Sequence, residues 1–113
     1  MDLNIPERIH IAPVGYEFER IVDSALSYKA DRVILIGHEE DGDEEKERLR
    51  DIVEVLEAEG LEVETTVCDI FDLYSSLGEI GELITKFEDD EIYVNVSTGS
   101  KVTAIAGMIA CMV

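Results

Sequence analysis

Ser97-Thr98-Gly99-Ser100-Lys101 is the stretch of this 113-residue chain best equipped for chemistry. Three hydroxyls, a glycine and a cation stand between an apolar run, Ile92 to Val96, and a second one, Val102 to Val113. Read as strand, turn and helix, the stretch sets backbone N–H groups at a helix start, where they point outward and bind anions, with the hydroxyls as added donors. Gly99 lets backbone approach a ligand closely. Lys101 falls in the first helical turn, where the dipole disfavours a cation by up to ~1 kcal/mol; a phosphate above it would offset that cost. The plain alternative is that Ser97, Thr98 or Ser100 does no more than cap the helix. The stretch is not a P-loop, which needs Gly-Lys-Ser/Thr behind an earlier Gly. Here Ser100 separates Gly99 from Lys101, Val102 follows, and position 94 is Val.

A second candidate loop follows Pro13-Val14, with Gly15, Tyr16, Phe18 and Arg20. Tyr16 could stack on a base or ribose and Arg20 could reach a phosphate. Against this, Phe18 suits a core, and Arg20 can pair with Glu17 or Asp23. The loop is not GxGxxG, so NAD or ATP binding by the familiar motifs is not expected. His10 and His38 have no second His, Cys or paired carboxylate at ligand spacing, so no metal site and no cofactor are expected. The acidic run around Glu39 to Glu47 lacks the calcium-loop pattern. Cys68 and Cys111 form no CxxC, which suggests a reduced, cytoplasmic protein.

The elements that must position these loops can be read from periodicity. Ile9 to Val14 reads as a first strand ending in a turn signal. Phe18, Ile21, Val22, Ala25 and Leu26 recur at helical spacing. Val33-Ile34-Leu35-Ile36 is a continuous apolar run, as in a strand covered on both faces. After a polar loop, Gly37 to Gly42, a second helix is marked by Leu49, Ile52, Val53 and Leu56, with Gly60 as its C-terminal cap. Leu61, Val63, Thr65 and Val67 alternate with polar residues, which suits an edge strand. Asp69 is expected to cap a third helix with the stripe Ile70, Leu73, Tyr74, Leu77, Leu83, Ile84 and Phe87. Gly78 and Gly81 weaken that helix. Ile92 to Val96 is a fourth strand and Lys101 to Val113 a fourth helix. The last helix is apolar nearly all round and is expected to be buried on all sides, within a longer protein or against a twin.

Four alternations of strand and helix imply an α/β, Rossmann-like parallel sheet with helices on both faces. The order 3-2-1-4 puts the half-polar third strand on an edge and makes the first and fourth strands neighbours. Ligands bind outside the carboxyl ends of such strands, where the winding reverses. That topology nominates Pro13 to Phe18 and Ser97 to Lys101. Charge agrees: the chain carries -18, with 13 acids between Glu39 and Glu64, yet Lys101 is the only charge after Glu91. So acidic a chain does not grip nucleic acid or anionic lipid by bulk charge. At 46% apolar residues it can build a core, and no apolar run approaches the ~20 residues of a membrane span.

Ile9-His10-Ile11-Ala12-Pro13-Val14-Gly15-Tyr16-Glu17-Phe18-Glu19-Arg20-Ile21-Val22 and Val94-Asn95-Val96-Ser97-Thr98-Gly99-Ser100-Lys101 together resemble the CARF (CRISPR-associated Rossmann fold) family. The likeness is to the N-terminal domain of archaeal regulators that carry a winged helix-turn-helix behind it. It implies that residues 1–113 form one ligand-sensing domain that dimerises, truncated before the last strands of the sheet, with DNA contacted only through an absent C-terminal domain. It also implies a pocket for a cyclic oligoadenylate second messenger, with contacts at Gly15, Tyr16, Ser97, Thr98, Gly99, Ser100 and Lys101. The family's second motif commonly carries paired glycines, where this chain has Ser97-Thr98-Gly99-Ser100.

Three functions follow as expectations. The first is a sensor domain of a transcriptional regulator, to which Arg20 adds a phosphate contact. The second is a metal-independent ring nuclease using Lys101 and Ser97. The third is a structural dimerisation domain without a small ligand, which would show Lys101 buried in an ion pair and no cleft between the first and fourth strands.

Overall fold

The continuous apolar runs become the middle of a sheet, because only there are both faces of a strand covered. The computed structural model describes residues 5–15 and 18–112, with Phe18 described by its backbone only. The strands are β1 (Arg8–Pro13), β2 (Arg32–His38), β3 (Glu62–Cys68) and β4 (Glu91–Val94). The helices are α1 (Phe18–Ser27), α2 (Asp43–Ala58), α3 (Leu73–Lys86) and α4 (Lys101–Met112). All neighbouring strands pair in parallel, in the order β3-β2-β1-β4. The Rossmann-like α/β class and the 3-2-1-4 order expected from the sequence are therefore the ones observed.

Alternate residues of the two central strands feed two cores. Ile9 and Ile11 of β1 and Ile34 and Ile36 of β2 face α3 and α4, where Ile80, Leu83 and Ala106 close over them. Ala12 of β1 and Val33 and Leu35 of β2 face α1 and α2, where Ile21, Ala25, Ile52 and Leu56 do the same. β3 is the edge, as expected, with Glu62 exposed on one face and Thr65 and Val67 on the other. At the amino ends of the strands Arg32 fastens three of them. Its Nε donates to Glu7 at 3.0 Å, and it pairs with Glu62 and Glu64 of the edge strand. The Glu7 hydrogen bond is the first cause holding the guanidinium pKa above its usual value.

Gly60 closes α2 as expected. With φ of 85° it lets its own N–H reach the Glu57 carbonyl at 2.9 Å and the Leu61 N–H reach Leu56 at 3.2 Å. This paired closure needs a left-handed residue just past the helix, where glycine is the least strained choice.

The expected start of α3 is corrected. The cap of α3 is Asp72, whose carboxylate accepts the Ser75 N–H at 2.8 Å. Asp69 instead accepts the Phe71 N–H at 3.0 Å, one tight turn earlier. Both aspartates are good caps, and the local geometry of Asp69-Ile70-Phe71 decides between them. Ile70 accordingly lies before the helix, buried in the core, and Tyr74 is exposed rather than part of the stripe. Within this chain α4 is covered on one face only. Thr103, Ala106 and Gly107 face inward, while Ile105, Met108, Ile109 and Met112 form an exposed apolar face.

His10 sits under the edge strand β4 with 4% exposure, its ring 5.2 Å from Tyr93 and 5.9 Å from Tyr28. Its Nε2 has no hydrogen-bond partner among the described residues. Burial lowers its pKa, since nothing there solvates an imidazolium. The unfolded chain, with an ordinary histidine pKa of about 6.5, then binds the proton more readily than the folded one. His10 therefore withdraws stability as pH falls below that value, down to its folded pKa. Replacing His10 with Phe should remove this contribution: melting curves of the two proteins should diverge in favour of the variant as pH falls from about 7 to 5. A constant offset across that range would contradict the account.

Candidate ligand-binding cleft

The segment between β4 and α4 is built by short local bonds. The Asn95 N–H still reaches the Ile11 carbonyl of β1 at 2.8 Å, so the chain leaves the sheet just past that residue. Asn95 Oδ1 then accepts both the Ser97 N–H at 2.9 Å and the Ser97 hydroxyl at 2.7 Å. Such an Asx turn lifts the chain off the sheet without help from elsewhere. Thr98 turns inward to 4% exposure. Ser100 caps α4: its Oγ accepts the Thr103 N–H at 3.1 Å, and Thr103 Oγ1 accepts the Ser100 N–H at 2.9 Å. The same Ser100 hydroxyl donates to the Ile70 carbonyl at 2.7 Å. For Ser100 the capping alternative thus holds, and its side chain is committed to the fold.

The two loops nominated by topology meet. A Cβ added to Gly15 would lie 3.0 Å from the Gly99 nitrogen and 3.2 Å from its Cα. Gly99 has φ of 78°, and a Cβ there would lie 2.6 Å from Pro13 Cβ and 2.7 Å from Thr103 Oγ1. Glycine at both positions is what lets the backbone after β1 touch the backbone after β4. Beside the contact opens a cleft of about 430 Å³. Val14, Gly15, Gly99 and Ser100 line it together with Ile70 and Phe71. A larger hollow of about 660 Å³ lies at the amino ends of the strands around Pro6, Arg32 and Asp90. The carboxyl-end cleft is the one at the reversal of winding, where sheets of this type hold ligands.

Of the residues singled out in the sequence, Gly15, Gly99 and Ser100 line the cleft. Thr98 is buried beside it in the chain, and Ser97 is exposed on the Asx turn. Lys101 is the first residue of α4, exposed, with no ion pair among the described residues. Arg20 is exposed on α1 and is not part of the cleft lining. Tyr16 lies outside the described residues.

The remaining walls were not foreseen. Glu40, Asp41 and Glu45, part of the acidic run around Glu39 to Glu47, border the cleft together with His38 and Arg48. Parallel pairing brings this about: β2 ends beside β1, so its loop opens on the same crevice. Asp41 Oδ2 accepts the His38 N–H at 3.1 Å and so holds the loop shut. His38 Nδ1 accepts the Ile70 N–H at 3.3 Å, and its ring stands edge-on to Phe71 with centroids 5.0 Å apart. The available signal was position: His38 ends a central strand next to β1, and ligands lie outside the carboxyl ends of such strands.

The Thr98 hydroxyl has no hydrogen-bond partner among the described residues. A buried hydroxyl without a partner costs about 1–3 kcal/mol. Thr98→Val removes that cost at nearly constant volume and should leave thermal stability unchanged or raise it by about 1 kcal/mol. A clear loss of stability on calorimetric melting would show that the hydroxyl is paired in the folded protein.

A parallel sheet in this order, with helices on both faces and a glycine-cradled crevice at the carboxyl ends, places the chain in the Rossmann-like α/β class. Within that class the chain belongs to the family described as HFX_2341_N:-like, N-terminal, whose model matches residues 8–113. It is 30% identical over 111 residues, 93% of this chain, to the uncharacterized protein MJ1513 of Methanocaldococcus jannaschii. The chain spans about a third, 33%, of that relative's length. Two solved structures share the fold. One is Can2 from Sulfobacillus thermosulfidooxidans in complex with cyclic tetra-adenylate, with a TM-score of 0.77 and 16% identity over 93% of this chain and 29% of that one. The other is a type III CRISPR defence DNA nuclease activated by cyclic oligoadenylate, with a TM-score of 0.75 and 16% identity over 96% of this chain and 18% of that one.

Proposed function

We propose that this domain is a CARF-type sensor that binds a cyclic oligoadenylate across a dimer of two copies, as the sensing part of a transcriptional regulator. The observation that carries the reading is the contact of Gly15 with Gly99 at the carboxyl ends of β1 and β4, beside a buried hydroxyl without a partner and the start of α4. Lys101 stands exposed there, which argues against the purely structural reading that needs it buried in an ion pair. The start of α4 presents backbone N–H groups and one cation, a combination that suits phosphate. The exposed apolar face of α4 supplies a surface for a twin, and a two-fold ligand suits a two-fold pocket. Both fold neighbours respond to or hold a ligand of this type. DNA would be contacted through a winged helix-turn-helix in another part of the protein.

Isothermal titration with cyclic tetra-adenylate should give about one ring per two chains. No heat with any cyclic adenylate would overturn the proposal. Incubating labelled ring with the protein in EDTA tests the ring-nuclease reading: linear products would replace sensing alone by cleavage.

A further inference from the structure

We infer that the β2 side of the cleft is a nucleobase subsite, and that it selects a base carrying an exocyclic amine. The inference rests on the ligand class proposed above and adds which residues read the base. Three observations support it. First, the cleft lining is of two chemical kinds. Gly15 and Gly99 contribute backbone, while the residues from β2, the loop and helix after it and Phe71 include His38 and three carboxylates, Glu40, Asp41 and Glu45, against one cation, Arg48. Phosphates are disfavoured beside those carboxylates, whereas a neutral base is not.

Second, the His38 ring is oriented by the backbone of Ile70. Its Nδ1 accepts the Ile70 N–H at 3.3 Å, so the neutral ring carries its proton on Nε2. His38 therefore offers a donor, and the ring nitrogens of a purine are acceptors. Third, Phe71 leaves 67% of its surface exposed while its ring packs against His38. An exposed aromatic at the wall of a cleft is a stacking platform for a base. The carboxylates then set the choice among purines. Glu45 is folded back over the start of α2, its Oε2 only 3.1 Å from where a Cβ on Gly42 would stand. Carboxylates at this wall accept from an amine and repel a carbonyl oxygen, so adenine is favoured over a 6-oxopurine.

The test compares cyclic tetra-adenylate with its tetra-inosine counterpart, in which each exocyclic amine is replaced by oxygen. The wild-type protein should bind the inosine ring at least ten-fold more weakly. His38→Asn keeps an acceptor for the Ile70 N–H but has no group at the place of the Nε2 donor. It should bind the adenylate ring about ten-fold more weakly at an unchanged melting temperature, and Phe71→Ala should weaken binding several-fold. Equal affinity for the two rings, with Lys101→Ala still weakening both, would overturn the base subsite alone. Wild-type affinity in His38→Asn would do the same. Binding of neither ring would overturn the subsite and the sensor reading together.

Discussion

Replacing Gly99 with alanine should destabilise the fold by about 2–5 kcal/mol. Two costs add. The left-handed backbone at φ of 78° costs a residue with a Cβ about 1–2 kcal/mol. The new atom would also stand 2.6 Å from Pro13 Cβ and 2.7 Å from Thr103 Oγ1. Neither neighbour is the free end of a flexible side chain, so relieving the overlap takes a further ~1–3 kcal/mol. Gly60 is the internal control. It has φ of 85° but nothing within 4 Å of an added Cβ, so Gly60→Ala should show the backbone cost alone. Chemical denaturation followed by circular dichroism separates them. A Gly99→Ala variant no less stable than Gly60→Ala would mean that the loop does not pack against Pro13 and Thr103 as described. Because the loop must move to accept the methyl group, binding of a cyclic oligoadenylate should be lost at the same time.

The second large effect concerns Lys101. If the ring lies across two copies of the domain, each ring meets two of these side chains. A charged hydrogen bond to phosphate contributes about ten-fold in affinity, so Lys101→Ala should weaken binding on the order of 100-fold. Folding should not suffer, because a cation in the first turn opposes the helix dipole. Lys101→Ala should also flatten the dependence of affinity on salt, since exposed charges are screened within about 10 Å at 0.1 M. Full affinity in the variant would place the phosphates elsewhere.

Much of the architecture was legible because its signals are local. The run Val33 to Ile36 marked a strand covered on both faces, and the alternation from Leu61 to Val67 marked an edge. Gly60 marked a helix end. From those, strand order followed, and with order came the meeting of Gly15 and Gly99. What escaped depended on contacts between distant segments. Asp69 and Asp72 are equally good caps by type, and the choice lies in how Ile70 enters the core. The acidic loop seemed remote from the ligand side because sequence distance hides that β2 and β1 run in register, from Ile9 beside Arg32 to Pro13 beside Ile36. His38 was weighed only as a metal ligand, and the bond from the Ile70 N–H that orients its ring joins residues 32 positions apart.

The Ser100 hydroxyl accepts one bond from its own helix and donates one to the Ile70 carbonyl, across 30 residues of sequence. Ile70 in turn holds His38 through its N–H. One residue therefore acts as a rivet between the root of α4, the approach to α3 and the tip of β2. The loop after β4 is therefore tied by side-chain bonds to the α3–α4 layer, the layer that carries the exposed apolar face, and meets the loop before α1 through the contact of two glycines.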